Sequence, residues 1–84
     1  MKDILAERIL EVIRKYREPL ETKEISQHLE DAKIKDVTRT KLFYRLTNLR
    51  GEGLIKGKFV GPGKGVWIWW VETIFVDKDK EVKK

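Results

Sequence analysis

The sequence predicts an α+β domain of three helices followed by a β-hairpin. Three observations carry the prediction. Apolar residues recur at helical spacing in three successive segments. Two runs rich in Val, Ile, Phe and Trp follow, "LIKGKFV" (54–60) and "VWIWWV" (66–71). Between them stands "GPGKG" (61–65), whose glycines and proline mark a turn. A chain of 84 residues suits one domain, expected over 1–76 with a charged, flexible tail at 77–84.

The first helix is expected over 3–17, where Leu5, Ile9, Val12, Ile13 and Tyr16 form one stripe while Ile4 and Leu10 lie off it. Asp3 and Glu7 come early and Arg14, Lys15 and Arg17 late, which suits the helix dipole. Pro19 ends the element, because the residue before proline is pushed out of the α region. A second helix is expected within 19–33, with Thr22 as N-cap and Ile25, Leu29 and Ala32 facing inward. It ends near Lys33 or gives way to a long turn. His28 beside that face reads as a surface or partly buried side chain. The third helix follows Asp36 or Thr38 as cap, carries Leu42, Leu46 and Leu49 inward, and stops at Gly51 and Gly53. "ETIFV" (72–76) extends the alternation of the second strand.

Composition removes several kinds of function. With no Cys and one His there is no disulfide framework, thiolate metal site or histidine-built zinc site. No Ser/His/Asp set and no carboxylate pair in an apolar segment suggest an enzyme. "GPGKG" resembles a phosphate-binding loop only in composition, since no Ser or Thr follows Lys64 and a strand follows it rather than a helix. No cofactor or small-molecule ligand is expected. No apolar run reaches the ~20 residues of a membrane span and the N-terminus has no signal-peptide pattern, so the expected location is cytoplasmic. Abundant Lys and Glu with single Asn, Gln and Met residues point to a thermophilic, archaeal source.

The charge is segregated. Net charge is +5 overall, but residues 1–37 carry −1 and residues 66–84 carry 0. The segment 38–65 carries +6, from Arg39, Lys41, Arg45, Arg50, Lys56, Lys58 and Lys64 against Glu52. A localised basic patch is the electrostatic footprint expected for nucleic acid.

The order of elements and the stretch "VTRTKLFYRLTNLRGEGLI" (37–55) resemble the winged helix-turn-helix family. A short Val-Thr turn opens the recognition helix, Leu46 and Leu49 follow, and Gly53-Leu54-Ile55 leads into the wing. "TKEISQHL" (22–29) is similar to the family's second helix, and "GPGKG" falls at the wing tip. The resemblance implies a DNA-binding domain. One departure stands out: "EDAKIKD" (30–36) intervenes between the helices, where many members use a shorter turn.

On a helical wheel the three leucines of the third helix fall within a roughly 60° arc. Thr40, Lys41, Tyr44, Thr47 and Asn48 take the opposite face, and Arg45 flanks it. These side chains suit the major groove: Asn pairs with adenine, Thr meets thymine, and Lys or Arg reaches guanine or phosphate. Thr40, Lys41, Tyr44, Arg45 and Asn48 are the expected base readers. Arg39, Arg50, Lys56, Lys58 and Lys64 are expected on the DNA backbone or, from the wing, in the minor groove.

"VWIWWV" is apolar on both strand faces, with Val66, Ile68 and Trp70 on one and Trp67, Trp69 and Val71 on the other. Three uses are open: a homodimer interface of Trp67 and Trp69 with Ile4 and Leu10, packing within the chain, or stacking on unpaired bases. The expected function is sequence-selective binding of double-stranded DNA by a small homodimeric, nucleoid-associated regulator. The alternative is a protein–protein adaptor that uses the Trp-rich strand.

Overall fold

A computed structural model of the chain describes residues 3–72. The expected continuation of the last strand at 73–76 and the tail at 77–84 lie outside the described residues. The elements are α1 (Ile4–Lys15), β1 (Leu20–Glu21), α2 (Thr22–Asp31), α3 (Arg39–Gly51), β2 (Lys56–Val60) and β3 (Val66–Trp70).

Local chemistry sets the helix ends. Asp3 caps α1 by accepting from the Ala6 N–H at 3.2 Å. Thr38 Oγ1 accepts from the Lys41 N–H at 3.1 Å and caps α3, which selects it over Asp36. Thr22 is the first residue of α2 rather than its cap. The N-cap is Glu21, whose N–H donates to Glu24 Oε1 at 2.7 Å.

The connector between α2 and α3 is the long turn. Helix α2 stops at Asp31, and Ala32, expected inward, is its exposed C-cap. Lys33 N–H bonds Glu30 O at 2.9 Å and Ile34 N–H bonds Leu29 O at 3.0 Å, a Schellman ending. The same ending closes α3 through Gly53 and Leu54, with Gly53 at φ 79°. In α2 the left-handed position is held by Lys33 at φ 64°. A side chain there costs about 1–2 kcal/mol, partly offset by the freedom glycine has in the unfolded chain. Lys33→Gly should therefore stabilise the domain by ~0.5–1 kcal/mol, read as a higher denaturation midpoint; an unchanged or lower midpoint would count against the left-handed assignment.

Ile9, Ile13, Leu20, Ile25, Leu29, Leu42, Leu46, Leu49, Ile55 and Trp69 form one buried core. Each helix contributes the face its spacing predicts. Leu10, expected off the stripe, is partly buried against this core, whereas Ile4 is 66% exposed. His28 is partly buried and stacks on Tyr16, ring centroids 4.0 Å apart.

The sheet has the order β1-β3-β2, with β3 antiparallel to both neighbours. Strand β1 adds to the expected hairpin a short edge that sequence periodicity does not reveal, because two residues are too few to show a period. Leu20 pairs with Trp69, and Gly57 pairs with Trp69 from the other side. This register puts Trp67 and Trp69 on the inner face and Val66, Ile68 and Trp70 on the outer one. Trp69 is 1% exposed and belongs to the chain's own core, so it is not available to a partner. Its indole N–H donates to Thr22 Oγ1 at 2.9 Å. Trp67 lies beside it, stacked at 5.2 Å between centroids, and is likewise partly covered from within.

Among the described residues no helix is long and apolar enough to cross a membrane, and no group of His, Cys, Asp and Glu side chains is arranged to hold a metal ion.

Candidate nucleic-acid interface

Burial of Leu42, Leu46 and Leu49 turns the opposite face of α3 outward. Thr40, Lys41, Tyr44, Thr47 and Asn48 are all exposed on it, with Tyr44 at 61%. Lys41 stands near the helix start, its Nζ 3.4 Å from the Asp36 carbonyl. The side chains expected to read bases are therefore presented together, with one exception.

Arg45 is turned toward α1. Its Nε lies 2.6 Å from Asp3 Oδ2, and its guanidinium carbon is 5.7 Å from the Tyr44 ring centre. The Asp3 carboxyl sits below the usual carboxylate range, chiefly because it accepts from the Ala6 N–H and also because Arg45 is adjacent. One aspartate thus caps α1 and holds an arginine of α3. Nothing local in the sequence signals this pairing, since the residues are far apart in the chain.

Arg50 also has a task inside the domain. Its Nε–H donates to the Gly57 carbonyl at 3.2 Å, and its guanidinium carbon lies 5.5 Å from the Trp67 ring centre. It ties the end of α3 to β2 and fixes the hairpin relative to the helix. Arg39 is exposed at the start of α3.

The hairpin separates its lysines. Lys56 and Lys58 pair with Trp70 and Ile68, so they project from the outer face of the sheet. Lys56 Nζ lies 3.8 Å from Glu72, a weak surface pair. Lys64 stands in the exposed tip with Gly61, Pro62 and Gly63.

A groove of about 420 Å³ runs between the starts of α2 and α3 and the base of the wing. Lys23, Arg39, Thr40, Phe43 and Trp67 line it, with Glu21 at one side. Phe43 meets Trp67 and Trp69 edge to face at 6.0 and 5.7 Å. Helical spacing alone does not bring Phe43 to Trp67 and Trp69, so these aromatic walls are visible only in the folded chain.

No family model and no curated protein sequence matches the chain. Solved structures with a similar fold include two PadR-type proteins. Bacillus subtilis PadR, solved in complex with operator DNA, superposes with a TM-score of 0.68 at 18% identity, over 83% of this chain and 41% of that one. A PadR-like transcription factor from Bacteroides fragilis superposes with a TM-score of 0.70 at 22% identity, over 82% of this chain and 66% of its own. The chain has the winged helix-turn-helix fold, and it spans 41% and 66% of the length of these two proteins.

Proposed function

We propose that the protein binds double-stranded DNA and regulates transcription, with α3 in the major groove and the tip of the hairpin on the backbone or in the minor groove. One observation carries the reading: the exposed face of α3 and the wing tip share the segment 38–65, which holds the whole cationic excess. The likeness to a PadR structure solved with operator DNA supports it. Thr40, Lys41, Tyr44 and Asn48 are the base readers in this reading. Arg45 joins them only by leaving Asp3. Arg39 and Lys64 contact phosphates directly. Arg50 contributes by holding the wing, while Lys56 and Lys58 add long-range attraction from the outer sheet face. The protein's place in the cell is then the cytoplasm, on the nucleoid.

Affinity should fall with salt, log K dropping by about 0.9 per log unit of salt for each phosphate contact. Lys64→Ala should weaken all duplexes equally and reduce that slope by about 0.9, whereas Asn48→Ala should cost ~1–3 kcal/mol at a preferred site and little elsewhere. Both are read by fluorescence anisotropy across a salt series. No binding to duplex, or binding indifferent to salt, sinks the proposal.

A two-fold symmetric dimer is the arrangement we propose for site recognition, since cyclic pairs are the commonest oligomers. With Trp69 internal, the apolar surface proposed for a second copy includes Val66, Ile68 and Trp70 on the outer sheet face and Ile4 on α1. Sedimentation of the free protein tests this, and a monomer at all concentrations removes it. Of the two tryptophans expected to serve a partner, Trp69 fills the core and Trp67 is partly covered, which leaves the adaptor alternative the outer sheet face.

A further inference from the structure

Interfaces with duplex DNA are polar and positively charged. The proposed interface is not uniformly so. Among the described residues the exposed large apolar side chains are Ile4, Phe43, Tyr44, Leu54, Phe59, Val60 and Val66. Five of these seven lie on α3 or the hairpin strands that flank the wing tip. Base-edge reading by α3 gives no role to the two phenylalanines among them, Phe43 and Phe59.

The rings are organised. Trp67 is their hub, covered on one side by Trp69 and approached by the Arg50 guanidinium. Phe43 from α3 and Phe59 from β2 each stand edge-on to it, with centroids 6.0 Å away in both cases. Packing fixes their inner edges, yet Phe43 remains 38% and Phe59 51% exposed. Half-exposed rings held by a partly buried aromatic anchor give a preorganised stacking surface at little further cost in side-chain freedom. Cations border it: Lys23 and Arg39 line the groove that Phe43 and Trp67 share. At about 420 Å³ the groove falls in the range of small-ligand clefts, roughly 300–1,000 Å³.

Aromatic faces interleaved with cations characterise sites for unpaired nucleic acid, where bases stack on rings and the phosphates follow the charge. The basic segment makes a negatively charged polymer the fitting occupant. We propose that Phe43 and Phe59, anchored on Trp67, stack on unpaired bases, so that the preferred substrate is DNA opened locally beside a duplex. This rests on the DNA-binding reading above and narrows its substrate. Helix α3 holds the duplex while the groove beside it takes the extruded strand.

The test compares a duplex with the same duplex carrying a central mismatched run, at equal salt. 2-Aminopurine in the run reports stacking. The opened DNA should bind about tenfold tighter, with quenched 2-aminopurine fluorescence, because bases stacked on the rings add to the duplex contacts. Phe59→Leu keeps apolar contact with Trp67 but removes the ring face. It should lose most of that preference and the quenching, with duplex affinity within about twofold of the parent. Phe43→Leu should act likewise, with circular dichroism confirming that it folds. Equal affinity for both DNAs without quenching, duplex binding intact, overturns the stacking surface and leaves the regulator standing. Loss of preference only in Lys64→Ala, with Phe59→Leu unaffected, also overturns it. Absence of binding to either DNA overturns both readings.

Discussion

Trp69→Ala is expected to unfold the domain or leave it barely folded at ambient temperature. Trp69 is 1% exposed, and truncating a buried Trp or Phe to Ala costs about 3–5 kcal/mol. Small domains have little to spare, since net stabilities are only ~5–15 kcal/mol and chains of this length sit near the lower end. The loss also leaves the Thr22 hydroxyl without its indole donor at the first residue of α2. Trp69→Phe should be milder. It retains much of the ring volume and gives up the hydrogen bond, a cost of about 1–2 kcal/mol with the residual gap. Chemical denaturation of the three proteins gives the order directly. If Trp69→Ala kept the parental midpoint and changed only the oligomeric state, the indole would belong to an interface between copies and the register described above would be wrong.

Gly57→Ala should lower the melting temperature even though alanine is otherwise well tolerated. A Cβ at this position would lie 2.6 Å from two ring atoms of Trp69 and 3.1 Å from the Arg50 side chain. The indole is fixed by the core and by Thr22, so it yields only by disturbing both. Overpacking of this kind costs about 1–3 kcal/mol, which corresponds to a fall of roughly 5–20 °C for a domain of this size. The same substitution pushes β2 away from α3 and strains the Arg50–Gly57 tether, which sets the angle of the wing. DNA affinity should therefore drop on all sequences alike, without loss of site preference. Calorimetry and duplex titration of the folded variant check the two effects. An unchanged melting temperature would show that the close approach of Gly57 to Trp69 is not tight.

The helices were legible because each carries a complete apolar face and a recognisable stop. Leu42, Leu46 and Leu49 fix the orientation of α3, and so the outward direction of Thr40, Lys41, Tyr44 and Asn48. The Gly-Pro tip likewise fixes where the chain reverses. What escaped was long-range. Asp3 and Arg45 are forty-two positions apart, and nothing local couples an N-cap to an arginine of α3. Arg50 reads as one more cation until its Nε–H is seen on the Gly57 carbonyl. Strand β1 exists only because Leu20 and Glu21 find an edge of β3 to pair with.

For "VWIWW" the sequence determined the alternation and therefore that Trp67 and Trp69 share one face and Ile68 and Trp70 the other. It did not determine which face is inside, because both are apolar and hydrophobicity alone does not distinguish them. Tertiary structure decided this through space. Gly57 opposite Trp69 leaves room for an indole, Leu20 closes the other side, and Thr22 offers an acceptor for its N–H. The large ring goes where a glycine makes the pocket, and the outer face keeps the remainder.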